Sequence, residues 1–465
     1  MVPAPSGQLR EDVLAGGVTA VTLARARFGR TETRADRWLS PLPDVMAIGK
    51  RRVAGIAVLL VAGAAAASAG GLRCMLERRA AWVRAQGRPV LSVQPEHSEL
   101  SDLEPLAEAL RGARVVMLGE ESHGDGTAFL AKGRIMKLLI ERLGFDVLIW
   151  EAGVFDCWQM DLALQAGKPP AEALALGLYV FWADSVEVQR AFDAVVQARR
   201  RGRPVEIAGL DQKLSAFRPV TGFADALAAF VDRSEPGWMT ADRRLRLHMV
   251  VDRLRAWDKR YFAKEGAGVR ALLGELATLL GQKREPGSTP ESRDADFYHR
   301  VVTNLASWMT TVERVRDDLS FDLDELNRIE RVMAENLEWQ LRRFAGRKVM
   351  VWAANGHVAR TGRAGHRPMG EHIANQLGES VYSLALWRFH GQWGMPRMPA
   401  TRIETAMGLP EASLHRVGAP YLFLDLRDAG PHVPSWLTES SRRFDGVFFI
   451  DHMEPATTTS AASRH

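Results

Sequence analysis

Seven short apolar runs, separated by stretches of helical periodicity, restrict the fold of this chain more than any other feature. Residues 114–118 (RVVML), 146–150 (DVLIW), 204–208 (PVEIA), 348–353 (KVMVWA), 381–386 (VYSLAL), 421–424 (YLFL) and 446–450 (GVFFI) are rich in β-formers and bounded by turn residues. Strands that alternate with helices in this way predict an α/β fold with a largely parallel central sheet and flanking helices. Residues 213–345 are mostly helical in pattern, with helices expected over 223–232, 243–262 and 323–343. They predict a helical insertion, or subdomain, over one side of that sheet.

The ends of the chain read differently. Residues 1–45 show little periodicity and are expected to be a disordered leader, or the product of a start codon assigned upstream of Met46. Residues 46–70 follow signal-peptide order: Lys50, Arg51 and Arg52, then an uncharged run over 53–69 that ends in Ala67-Ser68-Ala69. An uncleaved anchor through 53–69 is the alternative, although a run so rich in Ala and Gly makes a weak span. Either reading puts the body outside the cytoplasm. Residues 71–94 are expected to be a short helix and linker, 95–455 the catalytic domain, and 456–465 a disordered tail.

The net charge of +5 invites a nucleic-acid reading, but the charge is uneven. Residues 1–79 hold 12 Lys/Arg against 6 Asp/Glu, leaving 49 against 50 in the remainder, so no basic patch is expected to follow a phosphate backbone. Cys74 and Cys157 form no CxxC and no disulfide framework, and read as isolated thiols.

In open α/β sheets ligands bind beyond the carboxyl ends of the strands. RVVML is followed there by Glu120, Glu121, Ser122 and His123, DVLIW by Glu151, PVEIA by Asp211, and KVMVWA by Asn355 and His357. Four strand ends thus bring ionisable side chains to one rim. Thr127 is placed to cap the helix after His123, and Gly144 suits the position just past that helix's end. The resulting βαβ unit puts His123 and Glu151 at the ends of neighbouring strands. Gly119 and Gly124 permit a tight backbone there, close to a ligand. Ser122 lacks a GxSxG elbow, which argues against a serine nucleophile. Two histidines and two carboxylates could ligate zinc, but no HExxH pair is present and no metal or other cofactor is expected.

These residues together resemble the erythromycin esterase family. The likeness runs through VVMLGEESHG, GFDVLIWEAG, Phe181-Trp182 with Glu187, GLDQ at 209–212, Met333-Ala334-Glu335-Asn336, NGHVAR at 355–360, MGEHIANQLG at 369–378 and FDGVFFID near the C-terminus, in family order. It covers roughly residues 95–455. The resemblance implies hydrolysis of a small-molecule ester or macrolide lactone without a serine nucleophile, with His123 as general base on water and Glu120, Glu151 and His357 in the same site. An oxyanion would then be steadied by His357 or a basic side chain. Lys132 stands where the family carries an arginine, with Arg134 nearby; these two, Asp211 and Asn355 are the expected substrate contacts. Ala354 replaces a family histidine, and Ile329-Glu330 replaces Arg-Asp. A metal-dependent envelope hydrolase and a non-catalytic envelope binding protein of the same fold remain the alternatives.

Overall fold

The computed structural model describes residues 70–216, 222–284, 289–316, 320–427 and 433–459. The expected leader and the apolar run 53–69 lie outside the described residues. Among those described, no helix is long and apolar enough to cross a membrane. The chain falls into two units, Met1–Ala81 and Trp82–His465. α1, residues 70–86, spans their boundary.

All seven apolar runs form strands. In the second unit the elements follow as β1 (Arg88–Pro89), α2 (Glu104–Leu110), β2 (Val115–Leu118), α3 (Gly126–Arg142), β3 (Val147–Gly153), α4 (Val154–Gln165), α5 (Pro170–Gly177), α6 (Val180–Ala183), α7 (Val186–Arg200) and β4 (Glu206–Asp211). Five helices come next: α8 (Gly222–Ser234), α9 (Ala241–Arg255), α10 (Lys259–Gln282), α11 (Pro290–Arg314) and α12 (Leu323–Arg343). The chain closes with β5 (Val349–Trp352), α13 (Asn355–Val358), α14 (Met369–Leu377), β6 (Val381–Trp393), β7 (Thr401–Arg402), α15 (Pro410–His415), β8 (Tyr421–Asp425), α16 (Thr438–Arg443) and β9 (Gly446–Met453).

The sheet order is β1-β8-β9-β6-β2-β5-β3-β4, with β7 hairpinned onto β6. From β9 to β4 every neighbouring pair is parallel, whereas β8 and β1 add antiparallel strands at one edge. Val115–Leu118 and Val349–Trp352 are buried along their whole length, as strands with both faces covered require. β5 inserts between β2 and β3, so the ends carrying His123 and Glu151 are not direct neighbours as the βαβ reading had them. A local pattern gives the order of elements along the chain but cannot reveal a strand that arrives some 200 residues later to part them.

One apolar cluster packs around the sheet and α2 to α7, and a second, built largely from α8 to α12, fills the helical insertion. Side-chain caps fix several helix starts in the insertion: Thr240, Asp258, Thr289 and Asp322 each accept an N–H three residues on. Asp258 also explains why the single helix expected over 243–262 is two. The chain turns at Trp257, with φ 51°, and Asp258 caps the restart. Thr127 is not the cap of α3. It lies inside the helix and accepts Glu454 N–H at 2.9 Å, and Asp125 occupies the cap position.

The structure takes two flanking segments into the body. β1 pairs with the edge strand β8, and Val90 and Val93 are buried, so residues 82–94 belong to the second unit. Beyond β9, Thr457 binds Glu187, while Thr458 and Thr459 bind Asp184, so residues 457–459 pack onto the body. A two-residue strand and a run of threonines carry no periodicity from which either could be read.

Candidate active site

The rim at the carboxyl ends of β2, β3 and β5 brings Glu120, His123, Glu151 and His357 together. His123 Nδ1 lies 3.1 Å from Glu120 Oε1, while its Nε2 lies 3.7 Å from Glu151 Oε1. Glu151 Oε1 is 3.2 Å from His357 Nε2, and Glu151 Oε2 accepts the Ala354 N–H at 2.8 Å. An ionised carboxylate only accepts, so Glu120 assigns the proton of a neutral His123 to Nδ1 and leaves Nε2 with its lone pair free.

Phe181 stacks on the His123 ring at 5.0 Å between centroids, and Trp182 meets it edge-on at 4.9 Å. Both rings come from the one-turn helix α6, which places an aromatic wall against a base that is 7% exposed. Burial lowers the His123 pKa, with Glu151 opposing it and His357 and Lys213 adding to the fall.

His357 is driven the other way. Its burial disfavours charge, but Glu330 and Glu151 raise its pKa well above the usual value, so it is a cation at neutral pH. Nδ1 meets Glu330 at 2.7 Å, and Glu330 also binds His366 Nε2 at 3.0 Å and Met369 N–H at 2.8 Å. Burial alone would raise Glu151. The charge of His357, with the hydrogen bonds from His357 and Ala354, brings it down to about 2. Both His357 nitrogens therefore face carboxylates, and neither is free for an oxyanion. His357 instead holds Glu151 ionised and in place beside His123.

Lys132 is wholly buried on α3, where its Nζ contacts Glu120 and donates to Ala353 C=O at 3.2 Å. Burial pushes its pKa well below the usual lysine range. It anchors Glu120 from behind, so the expectation that it contacts substrate is corrected. Arg134 does not reach the site either. Its guanidinium forks onto Asp102 at 2.6 and 2.8 Å, and donates to the Ser92 and Glu99 carbonyls. Two residues on from Lys132, it faces the segment that precedes α2. Asn355 donates to Leu386 C=O at 2.8 Å and accepts Leu386 N–H at 3.2 Å, which ties the end of β5 to β6. A Cβ on Gly119 would collide with this Asn355 side chain, and one on Gly124 with the Gly394 backbone. The tight backbone expected at these glycines accommodates the protein's own chain.

Asp211 ends β4 and accepts the Tyr179 hydroxyl at 2.6 Å. It also holds Lys213 Nζ at 3.3 Å, and Lys213 lies over the rings of Tyr179 and Trp308. Sequence reasoning missed Lys213, Phe181 as a wall of the base, and Glu330 as more than a departure from the family pattern. The GLDQ motif was the available pointer to Lys213, one residue beyond it.

A model of the erythromycin esterase family matches residues 140–463. A Bacillus subtilis (strain 168) protein named as a hydrolase, YbfO, is 21% identical over 81% of this chain and 91% of its own. The erythromycin esterase type I of Escherichia coli is 22% identical over 61% of this chain and 73% of its own. Among solved structures, a Bacillus cereus protein superposes with a TM-score of 0.64 at 20% identity, covering 82% of this chain and 98% of that one. A mutant of the erythromycin esterase EreC in its open conformation gives 0.61 at 16% identity, over 80% and 98%. At these identities the structures speak for the shared fold, while the family match and the hydrolase names support a hydrolase. With more than two thirds of its length inside the family match, the chain belongs to the erythromycin esterase family.

Proposed function

We propose that the protein hydrolyses a carboxylic ester or lactone, with a macrolide as the first substrate to try, by attack of a water activated by His123. The observation that carries this reading is the free Nε2 of His123, in a ring whose Nδ1 is tied to Glu120 and whose burial keeps it neutral. A neutral imidazole accepts a proton at physiological pH. Water bound at Nε2 loses that proton to His123 as its oxygen adds to the ester carbonyl carbon. Glu151, 3.7 Å from Nε2, stabilises the imidazolium that forms. Lys213 is the cation at the rim that can meet the developing oxyanion. Collapse of the tetrahedral intermediate breaks the bond to the alcohol oxygen, and His123 returns its proton to that leaving group.

Mass spectrometry of erythromycin incubated with the purified protein tests this reading, alongside His123→Ala and with and without chelator. A gain of one water that vanishes in the variant and survives chelator is the expected result. Failure of both erythromycin and simple esters to react would overturn it. We also place this activity outside the cytoplasm, on the basic-then-apolar pattern of residues 46–70. Fractionation of cells producing the full chain checks that assignment.

A further inference from the structure

At the carboxyl ends of β6 and β9, to one side of the rim, lies a second group of histidines and carboxylates that the hydrolytic site does not use. His390 comes from β6, Asp451 from β9, and His415 from the last residue of α15. His415 Nδ1 lies 2.6 Å from Asp451 Oδ1, and His390 Nε2 lies 3.4 Å from Asp451 Oδ2. One ligand atom from each of the three residues lies within 4.8 Å of the others. Among the described residues, this is the group of His, Cys, Asp and Glu side chains whose ligand atoms converge so closely.

The surroundings fit a metal site beyond the three ligands. The other nitrogen of His390, Nδ1, faces His452 Nδ1 at 2.9 Å, and His452 Nε2 faces Glu454 at 2.7 Å. Two imidazole nitrogens at that distance need one N–H and one lone pair. If His390 donates from Nδ1, its Nε2 presents a lone pair on the side of Asp451 and His415. Hydrogen bonding of the distal ring nitrogen is the usual support for a metal-ligating histidine. Phe389 stacks on His415 at 4.1 Å between centroids and fixes that ring. Beside the group opens a cavity of about 420 Å³, lined by His390, Gln392, Arg402, His452 and Glu454 among others. Of the three converging residues, His390 lines it, together with its partner His452.

We propose that His390, His415 and Asp451 bind a divalent transition metal, with His452 and Glu454 orienting His390. Two imidazoles and one carboxylate suit zinc and its neighbours, whereas calcium and magnesium take oxygen ligands. The site would tie the short helix α15 to the two strands it packs on.

Purified full chain, freed of metal with chelator, is titrated with Zn²⁺ against a chromophoric zinc indicator, and with Co²⁺ for its visible spectrum. One zinc per chain and the intense visible bands of four-coordinate cobalt are expected. His415→Ala and Asp451→Asn should each weaken zinc binding at least tenfold, and His452→Ala about tenfold. His123→Ala should leave it unchanged. Failure of the parent to compete with the indicator at micromolar zinc overturns the proposal without recourse to any variant. So does binding that persists in a His390→Ala, His415→Ala double variant, or that is lost in His123→Ala.

Discussion

His123 and His357 stand on opposite sides of one carboxylate, Glu151, and their surroundings drive them in opposite directions. Around His123 the chain adds two rings, Phe181 and Trp182, to the carboxylates of Glu120 and Glu151, and burial prevails, so the base stays neutral. Around His357 it supplies a second carboxylate, Glu330, and charge prevails over burial. Two acids at the β3–α4 connection repeat the contrast. Glu151 meets two histidines and is held at about 2, while Asp156 is buried with Ser215 as its hydrogen-bonding partner and is pushed up to about 7. Burial is thus common to all four groups; it prevails at His123 and Asp156, whereas at His357 and Glu151 oppositely charged partners outweigh it.

The sharpest way to break this comparison is to remove the neutral member. His123→Ala should lower kcat/KM by roughly 10²–10⁴, the range for a general base, with little change in thermal stability. His357→Ala should instead act through Glu151, by releasing a buried carboxylate from its main cation. Loss of activity in His357→Ala alone, with His123→Ala fully active, would reverse the roles assigned to the two rings.

The Asp156 prediction concerns stability. Burial raises this group from the usual 3.8 to about 7, and its second oxygen has no partner among the described residues. The folded state therefore holds a proton that the unfolded chain has already lost. Its stabilising effect is complete below about pH 3.8 and is lost as the pH rises through about 7. Asp156→Asn removes that dependence, so the variant should match the parent near pH 4 and exceed it at pH 8 by an amount on the order of a few kcal/mol. Melting temperatures across pH 4–8 measure this, and parallel curves for the two proteins would refute it.

Glu330→Gln tests the cationic member. An opposite charge in contact raises a histidine pKa by about 1–3 units. Without it, His357 should lose its proton nearer neutrality, and the alkaline limb of the kcat/KM profile should move to lower pH by a similar amount. At one unit above the new limb the loss relative to parent is about tenfold.

What the sequence reveals of this contrast follows a physical boundary. Apolar runs and caps are local, so all seven strands and the insertion were legible, as was the helix over 323–343. The rim was legible too, because each strand end carries its polar residue immediately afterwards. Partners were not. Whether Arg134 meets a substrate or Asp102, and whether Glu330 meets solvent or His357, depends on where a distant segment comes to rest. Lys132 and Arg134 lie two residues apart on α3 and so face different neighbours, one behind Glu120 and one against Asp102. That distinction becomes available once the helix is docked, and no spacing rule supplies it.

The smallest effect tests the aromatic wall itself. Phe181→Ala removes the ring stacked on His123 and admits water to one face of the imidazole. Burial is the largest cause lowering the His123 pKa, so exposure should bring it back up toward 6.5. A histidine that must be neutral to work then loses activity on the acid side first. The acid limb of kcat/KM should move to higher pH by up to about one unit, giving a several-fold loss at pH 5.5 and little change at pH 8. An equal loss at both pH values would mean that Phe181 positions the substrate and leaves the titration of His123 alone. The low pKa would then have to rest on His357 and Lys213, whose charges also lower it.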